Sequence, residues 1–218
     1  MLRPVVLVCL LIAPASGRAE EQLSPAARAI LAGAREEVRR KTRYDLSMAY
    51  YVTRFKDGKD MKRAVFPGGD VDPAIGVCTD LVVRALRRAG YDLQALINKD
   101  RRDTPRGYVG RKPNANIDHR RVPNLLLYLR RHGTRLTTKT TPEAYKQWRG
   151  GDIVFWNLDG RGRIDHVGVV SDKRGPGGRP FVIHAYPSPG YTAELDVLES
   201  WPIAGHYRFP KSGKVRGR

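Results

Sequence analysis

The pattern of apolar and polar residues changes once along the chain. Up to about residue 150 the apolar positions recur every three or four residues, which is typical of amphipathic helices. After that point, short runs of β-branched and aromatic residues alternate with Gly- and Pro-rich turns, which is typical of strands. Helices followed by strands favour an α+β domain with an antiparallel sheet. The pattern therefore predicts N-terminal helices and a further helix packed on a small antiparallel sheet.

The helical patterns have recognisable ends. Ser24-Pro25 is typical of a helix cap followed by a first-turn proline, and Gly90 and Gly133 follow two of the amphipathic segments. The predicted helices cover residues 26–41, 44–55, 78–89 and 125–131. In the third, Asp80 and Arg84 are spaced for an i, i+4 ion pair. Residues 99–112 hold almost nothing apolar and are predicted to form an exposed loop.

The predicted strands cover residues 152–156, 165–170, 181–186 and 204–209. The Gly- and Pro-rich segment 173–178 joins the two middle strands as a hairpin. Pairing Asp172 with Gly178 places His166 directly opposite His184 on one face of the sheet, and we expect this face to meet the helix that begins at Cys78. A shift of one residue would move His184 to the other face.

The first residues have the features of a secretory signal peptide. A positive start precedes a short apolar run at 5–13, and small residues follow at Ala15 and Ala19. We expect residues 1–19 to be removed on export to the periplasm or cell envelope, with no transmembrane segment in the mature chain. The predicted organisation continues with an N-terminal helical segment (20–64), one main domain (65–210) and a basic tail (211–218).

Net charge and cysteine content then limit the class of partner and the kind of cysteine chemistry that we expect. The chain has 40 Lys and Arg against 22 Asp and Glu, a formal net charge of +18. Removal of residues 1–19 takes away Arg3 and Arg18 and no acid, so the exported protein keeps a charge of about +16 and is expected to meet acidic polymers of the cell envelope. Its two cysteines are Cys9 and Cys78. Because Cys9 lies in the predicted signal peptide, Cys78 is the single expected thiol, which excludes a disulfide framework.

A thiol in the first turn of a helix, beside histidines on a sheet, is what a cysteine nucleophile requires. The helix dipole and a nearby imidazolium both stabilise a thiolate, so we expect the pKa of Cys78 to be low. In this arrangement His166 acts as the base and His184 orients it. The free backbone N–H of Cys78 donates a hydrogen bond to an oxyanion.

Four sequence strings resemble the NlpC-type branch of papain-like cysteine peptidases in their order and spacing. They are Gly76-Val77-Cys78-Thr79-Asp80, Gly151-Asp152-Ile153-Val154-Phe155-Trp156, Asp165-His166-Val167-Gly168-Val169-Val170 and Val182-Ile183-His184-Ala185. The resemblance implies a papain-like α+β fold, with Cys78, His166 and His184 as catalytic residues and no cofactor. It also implies cleavage of amide bonds in peptidoglycan stem peptides, which makes residues 65–210 an NlpC-type cysteine hydrolase domain.

Two of the strings also resemble a bacterial domain of unknown function. These are the Gly-Val-Cys-Thr-Asp string and Asp118-His119-Arg120-Arg121-Val122-Pro123-Asn124. Asp118, His119, Arg120 and Arg121 are candidate substrate-binding residues, because guanidinium groups bind carboxylates in a bidentate manner. The alternative is that Asp118 caps a helix and the arginines form a solvated face.

Other functions stay open at this point. A metal-dependent hydrolase would use His166 and His184 with Cys78 or His206, but the chain has no H-E-x-x-H or paired C-x-x-C spacing, so no metal site is predicted. A secreted basic nuclease fits the charge, but no aromatic residues are interleaved with the basic ones, so no nucleic acid is expected. A non-enzymatic basic module that binds the cell wall is the third alternative.

Overall fold

The computed structural model describes residues 23–47 and 52–211, which form a mixed α+β fold. Its helices in this part of the chain are α1 (Pro25–Arg40), α2 (Cys78–Arg88), α3 (Leu93–Asp103), α4 (Val122–His132) and α5 (Pro142–Tyr145). Two 3-10 turns lie at Asp118–Arg120 and Pro176–Gly178. The helices precede most of the sheet, as the pattern predicts.

The main sheet has six antiparallel strands in the order β5-β10-β6-β7-β8-β9. Its strands are β5 (Thr134–Arg135), β6 (Ile153–Trp156), β7 (His166–Arg174), β8 (Pro180–Ala185), β9 (Thr192–Leu195) and β10 (Ile203–Arg208). Two short pairs lie outside it: β1 (Arg43–Tyr44) with β4 (Ile75–Gly76), and β2 (Phe55–Lys56) with β3 (Lys59–Asp60). The predicted α+β class and antiparallel sheet are confirmed.

Each face of the six-stranded sheet is covered by a different hydrophobic core. On the first face, Val167, Val169 and Ile183 pack with apolar residues of α1 to α4. On the second face, Trp156 and Val182 pack with side chains of α5 and the segment that leads to β10. Alternation along each strand therefore decides which core a residue enters.

The ends of α1 and α2 follow the sequence signals. Ser24 Oγ accepts a hydrogen bond from the backbone N–H of Ala27 at 3.1 Å, which caps α1. Helix α2 begins at Cys78 and ends before Gly90, whose φ of 87° lies in the left-handed region that favours glycine.

Two predicted segments are wrong. Residues 99–112 are not all loop, because α3 continues to Asp103. The inward face of α3 includes Arg101, which is buried and bonded to Asp118 at 2.5 Å, so its pattern looked polar. The predicted helix at 44–55 is not formed in its described part, which holds the end of β1, two 3-10 residues at 46–47 and the start of β2; residues 48–51 lie outside the described residues. The short strands β5 and β9 were not predicted.

The predicted signal peptide (1–19), with Cys9, lies outside the described residues, as do residues 212–218 of the predicted basic tail. Among the residues that are described, no helix is both long and apolar enough to cross a membrane.

Candidate active site

Cys78 is the first residue of α2 and is buried, with 7% of its surface exposed. The chain reaches it from the short strand β4. The residue before it, Val77, is the N-cap of α2, and its backbone N–H donates a hydrogen bond to Asp80 Oδ2 at 2.9 Å. The helix therefore begins with its first turn held by its own acidic residue, and the thiol lies at its positive end.

His166 and His184 lie on one face of the sheet and share a hydrogen bond of 2.9 Å between Nε2 of His166 and Nδ1 of His184. The predicted neighbourhood is confirmed, but the predicted register is wrong. Val169 pairs with Ile183, which places His184 across from Gly168 instead of His166. The register shifts between Val170 and Arg174, and the pairing of Arg174 with Pro180 places the hairpin loop at 175–179, two residues later than predicted. Because the error is two residues, both rings stay on the same face.

This face is not the one that meets α2, so that part of the prediction is also wrong. The rings of His166 and His184 contact Trp156, with centroids 5.4 and 6.5 Å away, and Trp156 belongs to the second core. Cys78 instead packs in the first core together with Val167. Strand alternation causes this arrangement, because consecutive residues point to opposite faces. The thiol and the histidine pair therefore lie on opposite sides of the start of β7.

The ionisation of the three groups differs from the sequence expectation. Burial raises the pKa of the Cys78 thiol to about 12, although hydrogen bonding by the backbone N–H groups of Val167 and Thr79 acts in the opposite direction. Burial also lowers the pKa of His166 to about 3 and that of His184 to about 4. The expected low pKa of Cys78 is therefore wrong for this state. Loss of hydration outweighs the helix dipole, and all three groups are neutral at rest.

Aromatic side chains that the sequence did not single out enclose the histidine pair. Tyr186 stacks on His184 with centroids 5.8 Å apart, and Trp201 lies 5.7 Å from His166. Tyr44 of β1 belongs to the same region, since burial and then the charges of Cys78 and Tyr186 raise its pKa to about 12. Trp201 and Tyr186 are half-buried, so they form the outer wall over the two histidines.

Three of the four candidate substrate-binding residues, Asp118, Arg120 and Arg121, are bonded to groups within the protein, and the fourth, His119, is buried. Asp118 is bonded to Arg101 and also accepts from Arg121 at 3.2 Å. Arg120 donates to Asp80 and is buried. His119 is 1% exposed, its Nδ1 has no hydrogen-bond partner, and burial lowers its pKa to about 3. These contacts join the 3-10 turn Asp118–Arg120 to α2 and α3. A substrate-binding role for the four residues stays a prediction.

The described residues contain no group of three or more His, Cys, Asp or Glu side chains placed to hold a metal ion. His206, a ligand candidate in the metal alternative, is bonded to Asp152 Oδ2 at 2.9 Å and stacks on Trp148 at 3.7 Å. It lies in a structural network at β6 and β10 and not beside the histidine pair. The alternative of a metal-dependent hydrolase therefore lacks a ligand set in this part of the chain.

The fold and site define an α+β protein that carries a helix-start thiol next to a paired-histidine strand. The chain belongs to the family described as "Domain of unknown function (DUF1287)", whose model matches residues 31–209. The match begins inside α1, within the predicted N-terminal segment. A similar protein is "Uncharacterized protein YijF" of Escherichia coli (strain K12), which is 43% identical over 148 residues, covering 66% of this chain and 69% of that protein. No solved structure matches the chain.

Proposed function

We propose that this protein is an exported cysteine hydrolase that cuts amide bonds in peptidoglycan peptides. Cys78 is the nucleophile, His166 is the base and His184 orients the base. The observation that carries the proposal is the hydrogen-bonded His166–His184 pair at the start of β7, where the next residue, Val167, donates its backbone N–H to the buried thiol of Cys78. The resemblance of the four sequence strings to NlpC-type peptidases supports the same assignment and a papain-like fold.

The hydrogen bond to His184 leaves one nitrogen of His166 for the thiol. When Nε2 of His166 carries the shared proton, His184 Nδ1 accepts it and His166 Nδ1 has a free lone pair. That nitrogen takes the proton of Cys78 as the sulfur attacks. Because the imidazole is neutral at rest, its Nδ1 lone pair is free throughout the neutral pH range, although burial makes it a weaker base than an exposed histidine.

The reaction proceeds in two steps, which are acylation of Cys78 and hydrolysis of the resulting thioester. Cys78 Sγ forms a bond to the substrate carbonyl carbon while its proton moves to His166, and the oxyanion is stabilised by backbone N–H groups at the start of α2. The C–N bond then breaks, and the leaving amine takes the proton. Water, deprotonated by His166, then attacks the thioester carbonyl carbon; the C–S bond breaks, the acid is released, and the proton passes from His166 to Cys78 Sγ.

In this state the thiol and the histidine pair lie on the two sides of β7, and no hydrogen bond joins Cys78 to His166 among the described residues. The proposal therefore requires substrate binding to move the start of β7 and bring His166 Nδ1 to the thiol.

The proposed substrate follows from export and charge together. A signal peptide would deliver the protein to the periplasm or cell envelope, where a net charge of +18 for the whole chain favours acidic polymers. Peptidoglycan stem peptides carry carboxylates and contain the amide bonds that the proposed site would cut. They are the partner that satisfies both requirements.

The test is a digest of purified sacculi followed by mass spectrometry of the released peptides. We expect the wild-type protein to release new amine and carboxyl ends, and Cys78→Ser and His166→Ala to release none above background. His132→Gln is the control, since His132 is partly exposed and bonded to Asp100, away from the histidine pair. Full activity of Cys78→Ser would overturn the proposal. Loss of activity with a chelator would favour a metal hydrolase, and binding without cleavage would favour a wall-binding module.

A further inference from the structure

Asp80 and Arg120, which are 40 residues apart in the chain, form a buried ion pair close to Cys78. Arg120 Nε donates to Asp80 Oδ1 at 2.6 Å, and Arg120 Nη2 donates to Asp80 Oδ2 at 3.1 Å. Their side chains are 1% and 2% exposed. A bidentate pair of this kind fixes the orientation of the two side chains and also pairs their charges. The 3-10 turn Asp118–Arg120 is therefore joined to the first turn of α2, two residues after Cys78.

Asp80 passes this constraint to the residue before the nucleophile. Its Oδ2 also accepts the hydrogen bond from the backbone N–H of Val77, the N-cap of α2. The first N–H groups of a helix have no partner within the helix. A side chain that accepts a hydrogen bond from the N-cap N–H therefore fixes the backbone direction at the start of the helix. Asp80 and Arg120 thereby set the direction of the Cys78 side chain.

The same pair controls charge near the thiol. The carboxylate of Asp80 is among the groups that raise the pKa of Cys78. Burial raises the pKa of Asp80 itself, but the charge and hydrogen bonds of Arg120 keep it below its usual range. Asp80 is therefore ionised, and the guanidinium next to it offsets a negative charge that would otherwise oppose a thiolate.

We propose that Arg120, acting through Asp80, is a positioning residue for the Cys78 nucleophile. It holds the start of α2 in place and compensates the carboxylate while the thiolate forms. This role rests on the proposed function where turnover is concerned, but the reactivity of the thiol can be measured without any substrate. The substrate contact that the sequence suggested for Arg120 stays a separate prediction.

The chain offers a matched control on the other side of the same turn. Arg101 Nη1 is bonded to Asp118 Oδ1 at 2.5 Å, and the two side chains are 4% and 2% exposed. Arg101→Met removes a buried arginine from a buried ion pair, as Arg120→Met does, but leaves Asp80 paired. The two variants therefore lose similar packing and differ in their connection to the nucleophile.

The experiment measures the rate at which iodoacetamide alkylates Cys78, by intact mass, over a pH range in a Cys9→Ser background. We expect Arg120→Met to slow alkylation about tenfold or more, which corresponds to a pKa rise of about one unit. Arg101→Met should stay within about twofold of the parent. Adding Asp80→Asn to Arg120→Met should restore part of the rate, because it removes a negative charge that Arg84 alone would then compensate.

On a soluble wall peptide, Arg120→Met should lower kcat and leave KM unchanged. Equal alkylation rates in Arg120→Met and Arg101→Met would overturn the positioning role. If Arg120→Met does not fold, Arg120→Lys decides: it keeps the charge but loses the bidentate contact, and parental reactivity would overturn the proposal. Slowed alkylation together with a wild-type protein that cuts no wall peptide would overturn only the proposed function. Normal cleavage with unchanged thiol reactivity in Arg120→Lys would overturn only the positioning role.

Discussion

At the scale of single residues, burial decides the chemistry of the site. Cys78 has the helix-start position that lowers a thiol pKa, but the residue is 7% exposed and its pKa is raised to about 12. His166 and His184 are 2% and 1% exposed, and both pKa values are lowered. With all three groups neutral, the proposed reaction would transfer the proton during attack and would not start from a preformed ion pair.

The raised pKa of Cys78 can be measured in the alkylation profile of the wild-type protein. We expect the rate of Cys78 with iodoacetamide to rise about tenfold per pH unit from neutral pH to about pH 9 without a plateau, since the thiolate fraction keeps increasing below the pKa. The measurement is intact mass against time, with urea-unfolded protein as the control, whose profile should bend near pH 8.5. A plateau below pH 7 in the folded protein would mean that the thiolate is already formed.

At the scale of elements, the β7–β8 pairing holds the histidines together. Gly168 lies across from His184, and a Cβ at this position would meet Val182 Cγ1 at 2.8 Å and the Ile183 carbonyl oxygen at 3.0 Å. Only glycine fits between the strands without moving β8. The histidine pair therefore depends on a residue that carries no chemistry itself.

Gly168→Ala tests this dependence. The added methyl group should displace β8, destabilise the fold by about 1–3 kcal/mol and weaken the His166–His184 contact, because the site is already fully packed. Urea unfolding reports the stability, and the imidazole NMR signals report the contact. Lys173→Ala, an exposed change in the same hairpin, should stay within about 0.5 kcal/mol of wild type. Wild-type stability of Gly168→Ala would contradict the close packing.

At the scale of the whole molecule, three histidines are buried in a neutral form. The pKa values of His119, His166 and His184 are lowered to about 3, 3 and 4, while unfolded histidine titrates near pH 6.5. As the pH falls below about 6.5, the unfolded chain takes up protons that the folded chain does not. Each histidine therefore stabilises the fold at neutral pH, and that contribution is lost as the pH falls towards its folded pKa.

We expect the free energy of unfolding to fall between about pH 6.5 and pH 4, by up to about 1.4 kcal/mol per pH unit for each of the three histidines. Urea unfolding at several pH values measures this slope. His119→Gln removes one of the three groups and should reduce the slope by about one third. An unchanged slope in that variant would show that His119 is not buried as a neutral ring.

The local pattern was sufficient for elements whose signals lie within a few residues. The cap at Ser24, the helix start at Cys78 and the four long strands could be predicted, because caps, periodicity and turns act over short distances. Helix α3 was missed because Arg101 occupies a buried position that only its pairing with Asp118 makes acceptable. A residue that needs a partner from elsewhere in the chain looks like a surface residue in the sequence.

The sequence by itself determined the α+β class, the helix-start thiol and the shared face of His166 and His184, since the strand period is two and an error of two residues leaves the face unchanged. Only the tertiary structure decided the other features. It paired Asp80 with Arg120, while Arg84 is bonded to Glu37 and Asp70 instead of the expected Asp80. It also placed the histidine pair on the face away from α2 and made the thiol and imidazoles neutral. These features depend on which surfaces pack together and exclude water, and a local pattern does not contain that information.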